Sequence, residues 1–292
     1  MARVLCFGEM LWDCLPRGSF PGGAPFNVAY HLNRLGHEAV PVSAVGNDAR
    51  GAELLRRLRD WGIPTEGVAV VPDRPTGVVL AEIDALGNAR YDIRENAAWD
   101  CISIPPKIRE WAEKADAIVY GSLAQRSGAN RESLHELMAS AKTAQRIFDV
   151  NLRAPYDDLS TAEALGRAAD LIKLNDEELG KMASGGQDAW EDRVRDYGRR
   201  MGGKSVCVTA GARGAGLGWK DRWYWEEAKP VSVVDTVGAG DAFLAQLIDG
   251  LLLRNEEPAA VLALACRRGE WVASREGATP EYLLEGRAAS RP

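Results

Sequence analysis

The sequence predicts an α/β protein built on a central parallel sheet covered by helices. Short apolar runs recur along the chain, helix-like stretches separate most of them, and 292 residues at 46% hydrophobic and 27% charged suffice to bury a large core. The strand-like runs fall at 4–7, 117–120, 146–150, 171–174, 205–209 and 231–234. Residues 25–35 place Val28, Leu32 and Leu35 on one helix face and stop at Gly36. The same pattern returns at 50–61, where Leu54, Leu58 and Trp61 precede Gly62. Further helices are predicted at 105–115, 131–143, 162–169, 190–201 and 259–274, with an apolar helical segment at 242–253. One stretch breaks the rhythm, because 78–83 and 89–93 are strand-like with only the turn-like 84–88 between them, which predicts a hairpin. No low-complexity linker, charge block or internal repeat divides the chain, so 1–292 is expected to form one compact unit.

Composition narrows the function. A formal net charge of −6 gives no general attraction to nucleic acid or to an anionic membrane, so any phosphate site must be local. Residues 1–15 lack the pattern of a secretory signal and no segment has eighteen uninterrupted apolar residues, so a cytoplasmic protein is expected. The five cysteines, Cys6, Cys14, Cys101, Cys207 and Cys266, show no C-x-x-C spacing. His31, His37 and His135 form no H-x-x-x-H pair, which gives histidine-based metal chemistry no support.

The most informative run is 235–243, DTVGAGDAF, a glycine-rich turn opening an apolar helix. The first N–H groups of a helix have no intrahelical partner, and the macrodipole adds partial positive charge there. Gly238, Ala239 and Gly240 are therefore the candidate anion hole. Asp241 beside it would repel a merely bound phosphate, whereas phosphoryl transfer needs a base where an acceptor hydroxyl loses its proton. An Asp in a first helical turn also serves as a cap or dipole partner, so the run by itself leaves both roles open.

Other segments decide between them. GGAPFNVA at 22–29, GNDARG at 46–51, DVNLR at 149–153, NDEE at 175–178 and TAGARG at 209–214 precede DTVGAGDAF in that order. Together these segments resemble the ribokinase-like carbohydrate kinases, the PfkB family, over nearly the whole chain, most closely its fructokinases. The resemblance implies a ribokinase-like three-layer sandwich with a small β-sheet lid drawn from about 11–20 and 76–98, and ATP-dependent phosphorylation of a small sugar. Asp241 would be the general base. Asp13, Gly22, Gly23 and Asn27 would hold the sugar, with Arg94, Trp99 and Arg153 as further substrate contacts. Asn175, Thr209, Gly211 and Gly214 would contact the nucleotide. Asn175 and Glu178 would hold hydrated Mg²⁺, although their spacing is also that of a helix capping box. Asp235 would help bind a monovalent cation such as K⁺. GGAPFNVA and YDIRENAAWD at 91–100 favour fructose, phosphorylated at carbon 6. Arg94 facing a carboxylate would instead favour 2-keto-3-deoxygluconate, and ribose or a nucleoside stays open. A catalytically silent sugar-binding sensor of the same fold is the alternative from another class. Relatives imply a homodimer through the lid, where an exposed sheet edge invites pairing.

Two motifs mislead. GRRMGGKS at 198–205 satisfies G-x-x-x-x-G-K-[ST], but a helix precedes it and a strand follows, the reverse of a P-loop, so Lys204 is expected in an ordinary loop. The G-x-G at 238–240 has Phe243 where a dinucleotide fingerprint needs a small residue, which argues against an NAD-dependent oxidoreductase.

Overall fold

The computed structural model describes residues 1–15, 18–83, 89–183 and 189–282. The chain opens with β1 (Arg3–Phe7), then the antiparallel pair β2 (Leu11–Leu15) and β3 (Gly18–Gly22), and enters helix α1 (Ala24–Arg34). β4 (Glu38–Gly46), α2 (Ala49–Asp60) and β5 (Val68–Val71) follow, and then a second antiparallel pair, β6 (Gly77–Ile83) and β7 (Ala89–Ile93). Regular alternation resumes with α3 (Pro106–Ala112), β8 (Ala117–Gly121), α4 (Gly128–Ser140), β9 (Gln145–Asp149), α5 (Leu159–Ala168) and β10 (Leu171–Asn175). Two helices, α6 (Asp176–Met182) and α7 (Trp190–Arg200), lead to β11 (Ser205–Thr209). The antiparallel strands β12 (Ala215–Trp219) and β13 (Arg222–Glu226) and the helices α8 (Ala239–Ile248) and α9 (Pro258–Ala273) complete the described part.

The strands form two sheets. A nine-stranded sheet has the order β13-β12-β11-β10-β9-β8-β1-β4-β5, parallel from β11 to β5, and a separate four-stranded sheet has the order β3-β2-β6-β7. Successive side chains of a strand point to opposite faces, and helices cover both faces of the large sheet. Leu5, Phe7, Ile172, Leu174, Val206 and Val208 pack under α3 to α7, whereas Val4, Cys6, Leu171 and Cys207 pack under α1, α8 and α9. Three layers result, as predicted.

Local chemistry explains the helix ends. Asp48 caps α2 by accepting from Gly51 N at 2.8 Å, Asp158 caps α5 through Ser160 N and Thr161 N, and Glu257 caps α9 ahead of Pro258. The expected helices all appear, with shifted ends; the segment expected at 242–253 starts earlier, at Ala239, and finishes in a π-helical turn, Asp249–Leu253. The two hairpin strands expected at 78–83 and 89–93 are β6 and β7, while the turn 84–88 lies outside the described residues.

One expected strand is absent. Residues 231–234 form no ladder, and Val231, Val233 and Val234 are 39%, 61% and 49% exposed, because the segment crosses the surface toward α8 with no strand beside it. Four strands escaped the sequence reading. β4 contains Pro41, β12 is rich in glycine, and β5 and β13 are short edge elements of the described sheet. Among the described residues, no helix is long and apolar enough to cross a membrane.

Candidate active site

Parallel strands present their C-terminal ends on one rim of the large sheet, and the predicted motifs gather there. Just past β1, Glu9 is 2% exposed and its Oε1 accepts from Ala24 N at 3.0 Å. The N-cap of α1, Gly23, offers no side chain, so Glu9 satisfies one of the amides that the helix start leaves open. One turn into α1, Asn27 is 3% exposed and its Nδ2 donates to Asp241 Oδ2 at 2.8 Å. This bond spans 214 residues of sequence and joins the GGAPFNVA segment to the glycine-rich loop.

That loop is held open by backbone geometry. Gly238, the N-cap of α8, has a left-handed φ of 78°, and a Cβ there would collide with Ala278. Ala239, Gly240 and Asp241 form the first turn, with Asp241 the acidic residue of that turn. Burial pushes the Asp241 carboxyl up to about 6, and Asp149 adds to the rise, while Lys173, Asn27 and Arg153 oppose it.

Asp13 comes from the small sheet. Its carboxyl lies against Gly22, on the neighbouring strand, so closely that a Cβ at position 22 would overlap it. Burial raises Asp13 to about 6, with the charge of Asp241 contributing and Arg153 opposing. Glu9 rises to about 7 for the same first reason, and its Oε2 is buried without a hydrogen-bond partner. Three carboxyls thus share one basin that Arg153 faces, and Arg153 itself is exposed.

Beneath the loop runs a buried polar row. Lys173 and Asp149 are register partners on β10 and β9, and Lys173 Nζ donates to Asp149 Oδ1 at 3.0 Å. Burial alone would lower the Lys173 ammonium, but Asp149, Glu178 and Asp241 together hold it above its ordinary value. Glu178 Oε1 accepts from Leu152 N and Oε2 from Asn175 N, both at 2.8 Å, while Asn175 Oδ1 accepts from Glu178 N. The capping box weighed from the sequence is therefore present.

Asn175 pairs in register with Thr209, and beyond them a cleft of about 490 Å³ opens. Thr209, Gly211 and Gly214 line it from one side and Ala239, Gly240 and Phe243 from the other, so its floor reaches the glycine-rich loop. Asp235 is buried and accepts from Val237 N at 3.1 Å and Gly277 N at 3.2 Å, which ties the loop to the segment after α9.

Two residues depart from their expected placement. Trp99 is fully buried, packs with Leu11, Val79 and Leu123, and carries the Arg126 guanidinium 4.0 Å from its ring centroid. It supports the small sheet from below rather than presenting a surface to a ligand. Arg94 is exposed and pairs with Asp92 at 3.2 Å. The pairing Asp13–Val79–Ile93 puts those side chains on one face of the sheet, and alternation turns Asp92 to the other. Arg94 is thus drawn away from Asp13. Glu9, Asp149 and Lys173 had no role assigned from sequence; a lysine inside the apolar run LIKLN was the one available signal for Lys173.

The P-loop look-alike behaves as expected. Gly198 lies in α7, Ser205 opens β11, and the amides of Gly203 and Lys204 both donate back to Gly198 O, so they are spent within the turn.

A model of the pfkB family carbohydrate kinases matches residues 2–283. The chain belongs to that family. It is an ATP-dependent carbohydrate kinase. A probable chloroplastic fructokinase-6 of Arabidopsis thaliana is 30% identical, over 95% of this chain and 79% of that protein. A fructokinase of Solanum tuberosum is 29% identical over 98% and 94% of the two chains. Among solved structures, a fructokinase with bound ATP from Xylella fastidiosa superposes with a TM-score of 0.81 at 24% identity, covering 95% of this chain and 94% of that one. This kinase therefore has the ribokinase-like fold.

Proposed function

We propose that this kinase phosphorylates fructose on the hydroxyl at carbon 6, with Asp241 as the general base. The observation that carries the proposal is the Asn27–Asp241 bond of 2.8 Å, which joins helix α1, proposed to hold the sugar, to the proposed base in one contact. Relatives at 30% and 29% identity that carry the name fructokinase support the choice of sugar. The pairing of Arg94 with Asp92 on the surface weighs against a sugar acid.

The sugar lies between Asp13, the backbone of Gly22 and Gly23, and Asn27, beside the small sheet that carries Asp13. That sheet acts as a lid, excluding water that would otherwise accept the phosphoryl group. ATP occupies the cleft along Thr209, Gly211 and Gly214, with Asn175 at its edge and its phosphates directed to the start of α8. Asp241, ionised above about pH 6, accepts the hydroxyl proton as the oxygen attacks the terminal phosphorus. Amides of Gly238, Ala239 and Gly240 receive the charge that develops on the transferred group, and Arg153 neutralises the carboxylate basin. Mg²⁺, when bound with the nucleotide, screens phosphate charge. Glu178 has each oxygen on a backbone amide and is 4% exposed, so it and Asn175 fit an outer role, through water. Asp235, tied through the Gly277 amide to the segment after α9, is the proposed monovalent cation support. The lid is also the proposed homodimer contact, since β3 and β7 are its open edges.

A coupled ADP-release assay over ketoses, aldoses, sugar acids and nucleosides tests the substrate. Fructose is expected to give the highest kcat/KM, and Asp241→Asn to lower kcat by roughly two orders of magnitude or more. A higher kcat/KM for a sugar acid or nucleoside overturns the choice of fructose, and wild-type turnover by Asp241→Asn overturns the base.

A further inference from the structure

Lys173 is charged, buried and unassigned, and its position is defined from three sides. It lies on the face of β10 that packs under α8, as Leu171 does two residues earlier. Asp149, its register partner on β9, holds the ammonium at 3.0 Å. Above it, the place where a Cβ would stand on Gly240 is 3.0 Å from Nζ. The ammonium is thus directly below the first turn of α8, whose Gly240 also lines the cleft.

We propose that Lys173 is a positioning residue for phosphoryl transfer, its ammonium underpinning the anion hole with a fixed positive charge that the amides of α8 alone do not supply. The proposal rests on the assignment of Gly238 to Gly240 as that hole. A helix start offers roughly half an elementary charge, and that charge is felt most where water is excluded. Lys173 is 7% exposed, so solvent screens it little. The other charged groups facing it are Glu178 from α6 and Asp241 from α8, both carboxyls. Lys173 is therefore the buried cation that, with the exposed Arg153 acting on Asp241, balances their charge and that of the arriving phosphate.

Stability gives a weaker reason for the pair. A buried ion pair repays its desolvation poorly, and neutral side chains of similar volume often replace such pairs without loss. Asp149 Oδ2 is buried with no hydrogen-bond partner, so the pair is not even fully satisfied. The lack of Cβ at Gly240 points the same way, since it lets the helix start approach the ammonium.

The test compares wild type, Lys173→Met and the double variant Asp149→Asn/Lys173→Met in steady-state kinetics and thermal melting. Lys173→Met leaves Asp149 buried and unpaired and is expected to melt lower; the double variant removes both charges and is expected to melt close to wild type. In the double variant kcat should still fall roughly tenfold to a hundredfold with sugar KM changed by less than about threefold, the pattern of an interaction made in the transition state. Wild-type kcat in a folded double variant would reduce the pair to packing and overturn the proposal, as would a loss confined to KM. Asp241→Asn run in parallel separates the two assignments: wild-type turnover there ends the base, while a depressed kcat in the double variant stands independently.

Discussion

The proposed base, Asp241, carries an energetic cost. Its carboxyl is raised from 3.8 to about 6 by burial and by Asp149, so the folded protein keeps that proton across a pH range in which the unfolded chain has released it. The sign follows: the group destabilises the fold increasingly as pH rises from 3.8 toward 6, and the cost persists above. Asp241→Asn should therefore melt higher than wild type at pH 8 by on the order of 1–3 kcal/mol, with the gap closing toward pH 4, as scanning calorimetry at the two pH values would show. Wild-type kcat should fall as pH drops through about 6, where the proposed base gains its proton. Gly238 makes a different demand, because its φ of 78° and its contact with Ala278 exclude a side chain. Gly238→Ala should cost about 1–3 kcal/mol in chemical denaturation and lower kcat, since the strain is released by moving the loop.

Helix α1 and the segment after α9 are locked by one histidine. His31 is fully buried, with Nε2 donating to Ala278 O at 2.9 Å and Nδ1 accepting from Tyr282 OH at 2.8 Å. Burial pulls its pKa from 6.5 down to about 3, so between those values the unfolded chain binds a proton that the folded one refuses. Stability is lost as pH falls from 6.5 toward 3, and His31→Gln should flatten that part of a pH–Tm curve. Ala278 is also the residue against which Gly238 rests, so the same joint carries the anion loop. Sequence periodicity found α1 because Val28, Leu32 and Leu35 repeat at helical spacing, yet nothing in that pattern said what His31 would meet 247 residues later. The segment 231–234 failed for the converse reason. β-branched residues favour a strand only where a neighbour completes the ladder, and Val233 at 61% exposed has none.

Across the molecule, the two sheets and the cleft make stability depend on ligand. Saturation with fructose and Mg-ATP at about a hundred times each Kd should stabilise the fold by roughly 2.7 kcal/mol per independent ligand, raising Tm by several degrees. Fructose that leaves Tm unchanged at such concentrations would count against it as the substrate. Asp241 and the glycines beside it could be proposed from their own run, which sets amides at a helix start, a carboxylate in the first turn and a turn without Cβ atoms, whereas Asn27 and Thr209 were proposed only because their segments resemble the family's. Sequence alone thus determined the α/β class, the three layers and the identity of the proposed base. Only the tertiary structure decided that Asn27 touches Asp241, that Trp99 is a support and Arg94 a surface pair, and that Lys173 and Glu9 stand beneath and beside the site. Local pattern fixes which face of an element is apolar, whereas charge is set by what distant strands and helices bring within a few ångströms, and that distance is not written in any single segment.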